Sequence, residues 1–325
     1  MQAVALHEFG GPEVLRFGAR PDPEAVDGRA VVELRAAALN WHDCLVRGGQ
    51  YDVPLPHVIG SDGAGVRRDT GEEVVILPSL DWGVDERAPG ASWQILGDYV
   101  DGTYAELVAV PEENLFPKPR GWSWADAAAL PLAGLTAHRA LFSRGGLRGG
   151  ETVLVLGAGG GVATIAIGLA VMAGARVLVT SSSLEKLDRA RELGAAGGAL
   201  YTAEGWPEDV RMLTGGEGVD LVIDSVGSTW SDALATLRPG GRLVSFGATG
   251  SASAEVDVRR FYFGQHTILG TTMGSPRDFA ALLRTVEAAP AWRPVVDRVL
   301  PLDRAGEAHA VMERREHTGK LVLAI

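Results

Sequence analysis

A cluster of glycines follows a buried apolar strand near the middle of the chain. The strand is predicted over 153–156, four glycines follow within 157–161, and the apolar segment 163–173 is typical of a helix. A second apolar strand then runs to Thr180. This order of strand, glycine turn, helix and strand is the context of a dinucleotide-binding motif. Glycines let the backbone approach a pyrophosphate, and the helix N-terminus offers unpaired N–H groups. The alternative is a turn that serves only helix–strand packing.

The residues after the second strand indicate which dinucleotide binds. Sites that prefer NADH usually place a carboxylate there, about 20 residues beyond the first glycine, where it accepts hydrogen bonds from the ribose 2′-hydroxyl. Here the strand ends in Ser181, Ser182 and Ser183, and Lys186 and Arg189 follow in the next helix. Hydroxyl groups donate to phosphate oxygens and a lysine adds positive charge, which favours NADPH with its 2′-phosphate. The alternative is that Ser183 only caps the helix and Lys186 lies on a solvated face.

Length, charge and cysteine content limit the class of protein. With 325 residues the chain is long enough for two domains with sizeable cores. A net charge of −11 and a pI near 5.2 argue against the basic surface that nucleic-acid binding requires. The single cysteine, Cys44, excludes an internal disulfide and fits a reducing compartment. The N-terminus does not resemble a signal peptide, and the apolar run 162–175 is short for a bilayer. We therefore expect a cytoplasmic protein with neither a nucleic-acid nor a membrane partner.

Two patterns of hydrophobicity divide the chain. Residues 1 to about 120 are predicted to be β-rich, although 78–102 shows no clear periodicity. A helix is predicted to begin at Ser123, with Asp126 in a capping box, and from there strands and helices alternate. The predicted strands are 153–156, 177–180, 221–224, 242–246 and 267–270, and the helices between them include 184–193, 208–214 and 231–237. This alternation predicts an α/β fold with a doubly wound parallel sheet.

Several motifs resemble those of the medium-chain dehydrogenase/reductase superfamily in order and spacing. They are Ala-Leu-Asn-Trp-His-Asp at 38–43, the segments 56–65 and 129–137, Asp-Gly-Thr-Tyr-Ala-Glu at 101–106, Leu-Arg-Pro-Gly-Gly-Arg-Leu-Val at 237–244, and Gly-Lys-Leu-Val at 319–322. The chain is similar to the branch that contains quinone oxidoreductases and zinc-type alcohol dehydrogenases. The resemblance implies a β-rich catalytic domain similar to chaperonin-10 at 1–123, completed by the C-terminus at 272–325. It also implies a Rossmann dinucleotide-binding domain at 124–271, with the active site in the cleft between the two.

Zinc-bearing members of the superfamily hold the catalytic ion with two cysteines and a histidine, and this chain departs from that pattern. The corresponding positions are Asn40, Ser61 and Ala133, whose amide, hydroxyl and methyl groups cannot replace thiolates and imidazole around zinc. The segment 81–97, which matches the lobe that holds a structural zinc with four cysteines, contains none. A metal site around His57 would need a new geometry. We therefore expect no metal.

Without a Lewis acid, the chemistry depends on hydride transfer to a conjugated acceptor, whose own π-system takes up the hydride. The resemblance thus implies a zinc-independent reductase that uses NADPH to reduce a quinone or an α,β-unsaturated carbonyl. The candidate catalytic residues are Tyr51, which can hydrogen-bond a substrate oxygen, His42, which can shuttle a proton near neutral pH, and Asn40. Water is an alternative proton source. Asp43, in the same motif, is better explained as fixing the local turn.

The resemblance also implies the cofactor-binding positions and the oligomeric state. The positions around the pyrophosphate, the 2′-phosphate and the nicotinamide are Asn40, Thr136, Gly157, Gly159, Gly160, Gly161, Val162, Ser181, Ser182, Lys186, Tyr201, Phe246, Gly247 and Thr271. A homodimer is implied, in which the edge strand at 267–270 pairs with its copy in a second subunit. Two other functions remain open. One is an alcohol dehydrogenase or aldehyde reductase of the same superfamily, and the other is a non-catalytic NADPH-binding protein.

Overall fold

The computed structural model describes residues 1–26 and 28–325. The chain separates into two compact units, Met1–Leu135 with Gly274–Ile325, and Thr136–Met273. The sequence predicted boundaries at 123/124 and 271/272, whereas the units of the structure divide at 135/136 and 273/274. The difference arises because the helix Trp124–Ala128 buries Ala127 and Ala128 and packs against strands of the first unit.

Strands and helices are numbered separately along the chain. The strands are β1 (Gln2–Leu6), β2 (Leu15–Ala19), β3 (Arg29–Ala38), β4 (His57–Val58), β5 (Asp62–Arg67), β6 (Glu73–Ile76), β7 (Ser79–Leu80), β8 (Gln94–Ile95), β9 (Leu107–Pro111), β10 (Leu115–Pro117), β11 (Thr152–Val155), β12 (Arg176–Ser181), β13 (Gly197–Leu200), β14 (Val219–Asp224), β15 (Leu237–Ser245), β16 (Thr267–Gly270), β17 (Val296–Pro301) and β18 (Lys320–Ala324). The helices are α1 (Trp41–Arg47), α2 (Trp124–Ala128), α3 (Pro131–His138), α4 (Gly161–Met172), α5 (Leu184–Glu192), α6 (Trp206–Leu213), α7 (Trp230–Thr236), α8 (Val258–Phe263), α9 (Pro276–Glu287) and α10 (Ala305–Glu313).

The first unit is built around β3. This strand pairs antiparallel with β5 and β18 and, over its first half, with β9. It supplies Val32 and Leu34 to one apolar cluster and Ala37 to another, so it is buried on both faces rather than on one. The C-terminal strand β18 lies between β3 and β17, and therefore the end of the chain completes the sheet that the N-terminal half begins.

The second unit is a parallel sheet in the order β13-β12-β11-β14-β15-β16. The chain enters at β11, extends to one edge through β12 and β13, and returns to build the other half from β14. Short apolar strands joined by crossover helices produce this arrangement because every strand is covered on both faces. The predicted α/β fold with a doubly wound sheet is confirmed. The switch point lies between β11 and β14, where ligands of such sheets bind at the carboxyl ends of the strands.

The segment 78–102, which the sequence left without a pattern, supplies Leu80 and Leu96 to the same apolar cluster as Val32 and Leu34 of β3. Short strands β7 and β8 pair antiparallel across it. Trp82 and Trp93 pack edge to face with ring centroids 6.1 Å apart, and the Trp93 indole N–H donates to Ser79 Oγ at 2.8 Å.

Within the described ranges 1–26 and 28–325, no helix is long and apolar enough to cross a membrane.

Candidate functional site

The glycine turn connects β11 to α4. Gly157 has a φ of +78°, a left-handed conformation that glycine adopts without strain, and its N–H donates to Thr180 Oγ1 at 3.3 Å. Gly160 is the N-cap of α4 and has no side chain to bond the first helical amides. A Cβ at Gly157 would meet no atom within 4 Å, and one at Gly160 would barely reach a neighbour. The turn therefore leaves space above the start of α4, next to Gly161 and Val162, for a negatively charged group.

The predicted 2′-phosphate residues lie beside this turn. Ser181 ends β12 and is buried, Ser182 is exposed, and the Tyr201 N–H donates to Ser181 O at 3.0 Å. The Lys186 side chain reaches back over the glycine turn, since a Cβ at Gly159 would lie 2.7 Å from its Cδ and 3.1 Å from its Nζ. Without a Cβ at Gly159, the lysine side chain can lie directly against the backbone of the turn. The structure brings these predicted residues together at one strand end.

Ser183 caps α5, as the alternative interpretation of this segment proposed. Its hydroxyl accepts the Lys186 N–H at 3.4 Å, while its own N–H donates to Ser181 Oγ. The cap satisfies a backbone donor at the helix start and uses the backbone of Lys186, not its side chain. Capping and a phosphate contact by Lys186 are therefore compatible.

The remaining predicted cofactor positions in this unit lie on two further strand ends and on α3. Phe246 and Gly247 follow β15, and a Cβ at Gly247 would come within 2.9 Å of Ser225 O. Thr271 follows β16, and its Oγ1 is buried without a hydrogen-bond partner among the described residues. Thr136 is buried in α3. An orphaned hydroxyl, an open glycine turn and a lysine at one edge of the sheet fit a dinucleotide.

Asp224, at the end of β14, organises the same edge, and the sequence did not single it out. Its carboxylate accepts the backbone N–H groups of Val226 and Gly227, the Trp230 indole N–H at 2.8 Å and the Ser245 hydroxyl at 3.2 Å. These bonds hold the loop after β14 against the end of β15. A carboxylate directly after an apolar strand was the only available signal.

In the first unit, Asn40 lies in a buried polar cluster. Lys320 Nζ donates to Asn40 Oδ1 at 2.6 Å and to Asp62 Oδ2 at 2.9 Å, and Asn40 Nδ2 donates to the same carboxylate oxygen at 3.0 Å. The other oxygen of Asp62 accepts the Leu132 N–H at 2.7 Å. Lys320 is 2% exposed and Asp62 is fully buried. A buried ammonium and a buried carboxylate therefore hold both heavy atoms of the Asn40 amide.

The positions that correspond to zinc ligands are thus engaged otherwise. Besides Asn40, the Ser61 hydroxyl is directed at Asp43 Oδ1 at 3.4 Å, and Ala133 is a buried methyl group. His57 Nε2 donates to the Gly97 carbonyl at 2.9 Å. In the part of the chain that the structure describes, no group of three or more His, Cys, Asp and Glu side chains is arranged to hold a metal ion.

His42 is near the start of α1 and Tyr51 follows the end of that helix, yet their side chains are in contact. The Tyr51 ring meets the imidazole edge to face, with centroids 4.6 Å apart. His42 Nε2 is 2.6 Å from Asp98 Oδ1. Burial lowers the pKa of His42, but the hydrogen bond to Asp98 and the charges of Asp98 and Asp43 outweigh it, so the pKa is raised overall. Burial and the Asp98 charge raise the pKa of Tyr51, which keeps the phenol protonated.

Two family models and a known enzyme match this chain. Residues 26–120 match the family described as "Alcohol dehydrogenase GroES-like domain", and residues 161–288 match "Zinc-binding dehydrogenase". A quinone oxidoreductase of Pseudomonas aeruginosa is 34% identical over 98% of this chain and 98% of its own length. The chain belongs to the medium-chain dehydrogenase/reductase superfamily. Its β-rich unit is the GroES-like domain of that superfamily and its parallel sheet is the dinucleotide-binding domain.

Solved structures of superfamily members agree with this assignment. An NAD-dependent alcohol dehydrogenase has a TM-score of 0.93 and 41% identity, with complete coverage of both chains. A mycobacterial protein solved in complex with NADPH has a TM-score of 0.85 and 31% identity, again with complete coverage. The chain is therefore an oxidoreductase of the medium-chain superfamily, whose members use a nicotinamide dinucleotide and act on small molecules.

A second buried network lies behind the Asn40 cluster, and the sequence did not indicate it. His309 Nδ1 accepts from Arg47 Nη1 at 3.0 Å, His309 Nε2 is 3.2 Å from the Tyr104 hydroxyl, and that hydroxyl donates to Asp43 Oδ2 at 3.0 Å. Burial and the Arg47 charge lower the pKa of His309 to about 3, so it is neutral at pH 7. Burial, opposed mainly by the hydrogen bond from the backbone of Asn40, raises the pKa of Asp43 to about 6. Cys44 is 3.5 Å from His309, and burial raises its pKa to about 12. This cysteine is an unreactive packing residue.

Asp43 also fixes the local turn, which is the role that the sequence predicted for it. Its Oδ2 accepts the Asn40 N–H at 2.8 Å, which closes the start of α1. Lys320 and Asp98, the two charged residues closest to the predicted catalytic groups, were missed. The signal for Lys320 was a lysine at the head of an apolar C-terminal strand. Asp98 had no sequence signal, because it lies within the segment 78–102, which shows no clear periodicity.

Proposed function

We propose that the protein is a zinc-independent reductase that uses NADPH to reduce a quinone or an α,β-unsaturated carbonyl. The observation that carries the proposal is the ammonium group of Lys320 bonded to Asn40 and Asp62. The Asn40 amide oxygen already accepts from a buried ammonium group, whose positive charge opposes a metal cation at the same atom. The neighbouring hydroxyl and methyl groups of Ser61 and Ala133 are poor ligands. Without a Lewis acid, a conjugated acceptor is the more suitable substrate, because its π-system takes up charge.

The preference for NADPH rests on the residues at the end of β12. A 2′-phosphate is stabilised by hydroxyl donors and by positive charge, and this strand end carries Ser181, Ser182 and Lys186 with no carboxylate. The Lys186 side chain lies against the glycine turn, next to where the dinucleotide would bind. The mycobacterial relative in complex with NADPH supports this preference, whereas the relative with 41% identity is named as NAD-dependent.

When bound, the nicotinamide supplies the hydride, and the protein supplies position and a proton. Gly157, Gly160 and the start of α4 would hold the pyrophosphate, and the unpaired Thr271 hydroxyl would meet the nicotinamide end. Tyr51, His42 or a water molecule would provide the proton that the acceptor oxygen takes up. Asn40, held on both sides, orients rather than transfers a proton.

The proposed working state is a cytoplasmic homodimer. The strand β16 is at the edge of its sheet, and Ile268 and Leu269 are only partly buried there. Pairing with a second copy would satisfy the backbone groups of that edge. A cytoplasmic site of action agrees with the one cysteine of the chain, Cys44, which is free and buried.

The test is turnover of protein that has been treated with a chelator and analysed for zinc. NADPH and NADH are each offered with a para-quinone, an α,β-unsaturated ketone and a saturated aldehyde. We expect less than one zinc per chain, unchanged activity after chelation, and turnover of the quinone or the enone with NADPH. Reduction of the aldehyde alone, dependent on stoichiometric zinc, would instead identify an alcohol dehydrogenase. Tight NADPH binding with no turnover of any acceptor would indicate a non-catalytic binding protein.

A further inference from the structure

The carboxylate of Asp98 is buried directly against the imidazole of His42. Asp98 is 4% exposed, and its N–H donates to Ile95 O at 3.1 Å, which fixes the turn that presents the side chain. The distance from His42 Nε2 to Asp98 Oδ1 is 2.6 Å, which is short for a hydrogen bond between nitrogen and oxygen. Because an ionised carboxylate only accepts, Nε2 must carry a hydrogen.

This contact determines which nitrogen of His42 is available. With Nε2–H donated to Asp98, Nδ1 is the remaining ring nitrogen, and it has no hydrogen-bond partner among the described residues. The His42 side chain is 12% exposed, so the ring is open on one side. The charged and titratable groups around it are Asp98 from the loop after β8, Asp43 from α1 and Tyr51 from the loop after α1.

We propose that Asp98 is a positioning residue for catalysis: it holds His42 with Nε2 protonated and directs Nδ1 as the proton donor to substrate. The inference rests on the proposed reductase function and names the proton source that the proposal leaves open. Asp98 does not touch the substrate. It acts by selecting the tautomer, the ring orientation and the charge of the imidazole that does.

The proton transfer balances as follows. For an α,β-unsaturated ketone, NADPH would supply the hydride and be oxidised to NADP+, so that one C–H bond breaks on the cofactor and one forms at the β-carbon. The π-electrons of the acceptor would move to the carbonyl oxygen. The Nδ1–H bond of protonated His42 then breaks and an O–H bond forms. The N–H electron pair stays on Nδ1, so His42 becomes neutral while Asp98 remains a carboxylate. Solvent returns the proton to Nδ1 through the open side of the ring, and the enol product tautomerises in water.

Tyr51 has a different part in this arrangement. Its ring packs edge to face on the imidazole at 4.6 Å and covers one side of it, which limits rotation of His42 away from Asp98. The Tyr51 side chain is 36% exposed, so its hydroxyl is more solvated than the His42 ring. The buried carboxylate partner, which Tyr51 lacks, makes His42 the better donor.

The experiment compares the variant Asp98→Asn with wild type and with the control Asp101→Asn. Asp101 is three positions along the same loop, and its carboxylate lies 3.3 Å from His57 Nδ1 instead of contacting His42. In Asp98→Asn the new amide can donate to Nε2, so the hydrogen of neutral His42 moves to Nδ1 and its pKa falls. We expect kcat to fall roughly a hundredfold, which is within the range for general acid catalysis. The Kd for NADPH should change little, and the control should stay within about twofold of wild type in kcat.

Two further measurements separate this inference from the proposed function. Nitrogen NMR of wild-type protein without substrate, recorded above the pKa of His42, reports the tautomer of the neutral ring directly, and we expect its single hydrogen on Nε2. Hydrogen on Nδ1 would overturn the inference whether or not the protein reduces quinones, and so would Asp98→Asn with wild-type kcat. The value of kcat/KM should fall as the pH rises through the pKa of His42, and in Asp98→Asn that fall should occur at lower pH. If no acceptor is reduced but NMR of the neutral ring shows hydrogen on Nε2 in wild type and on Nδ1 in Asp98→Asn, the reductase assignment fails and the positioning contact stands.

Discussion

Lys320 is the residue on which the proposed zinc-independence of this site depends. Its ammonium group is nearly completely buried, yet Asn40 Oδ1 and Asp62 Oδ2 both accept from it. A buried charge persists only when it is paired and hydrogen-bonded, and this pair meets both conditions. The ammonium group of Lys320, the first residue of β18, thus balances the charge of Asp62 and orients the Asn40 amide. Polar residues can therefore remain in a buried site that lacks the thiolate ligands of zinc.

Lys186 is the residue on which the proposed preference for NADPH depends. Replacement of Lys186 by Ala should weaken NADPH binding about tenfold, or about 1.4 kcal/mol, and leave NADH binding nearly unchanged, because only NADPH carries the 2′-phosphate. The measurement is a fluorescence titration of each cofactor. The control is Arg191→Ala on the same helix, where the guanidinium is paired with Asp188. Equal affinity of the wild type for both cofactors would refute a phosphate site at this strand end.

The helices α1 and α10 are joined by polar contacts as well as by packing. Arg47 of α1 donates to His309 of α10, and Tyr104, from the segment before β9, meets the other side of the imidazole. Because burial disfavours the charged form of the ring and Arg47 is cationic, the pKa of this histidine is lowered and the ring is kept neutral. The cost is sensitivity to acid, since the folded protein cannot accept the proton that the unfolded chain takes up.

This sensitivity can be measured as the pH dependence of stability. The pKa of His309 is lowered from 6.5 to about 3 in the folded protein. The unfolded chain therefore binds a proton first, and the free energy of unfolding should fall by about 1.4 kcal/mol per pH unit below pH 6.5 from this residue. In His309→Asn that contribution should disappear, although the variant is less stable at pH 7.5. Denaturant unfolding at pH 7.5, 6.0 and 5.0 is the measurement.

The control for this variant is His7→Asn, a change at an exposed histidine outside the cluster. It should leave the wild-type pH dependence in place. An unchanged slope between pH 6.5 and 5.0 in His309→Asn would show that another group causes the loss of stability in acid.

The whole chain is arranged so that its two ends form one unit. The strand β18 lies between β3 and β17, and its first residue, Lys320, reaches Asn40 and Asp62 from the opposite end of the sequence. The unit from Thr136 to Met273 is inserted between these parts. Truncation near the C-terminus would consequently remove a central strand of the first unit together with the cation of the site.

The second unit carries the surface for the expected dimer. The edge strand β16 follows α8, on which Val258, Tyr262 and Phe263 are exposed. We expect light scattering at micromolar concentration to give the mass of a dimer, and Phe263→Glu to shift it toward monomer by placing a charge in an apolar contact. Met212→Glu, at an equally exposed apolar residue of α6, should leave the mass unchanged. A monomeric wild type would contradict the dimer.

Much of the second unit was predictable from the sequence. The strand at 267–270 has the predicted ends, and the glycine turn and the cap at Ser183 are local patterns as well. They are readable because a buried parallel strand must be apolar, a tight turn needs glycine and a helix start needs a cap. The predicted helix at 231–237 ends one residue earlier, at Thr236, because Leu237 begins β15. Propensity alone cannot place a boundary where a residue serves either element.

The sequence by itself determined the superfamily, the parallel sheet and the residue types of the candidate site. Only the tertiary structure decided which of those residues meet. Asp98 faces His42, and Lys320 faces Asn40, across separations of 56 and 280 residues. The physical reason is that a hydrogen bond or ion pair depends on distances of about 3 Å. Such distances are set by strand register and packing, whereas local sequence patterns report only which face of an element is apolar.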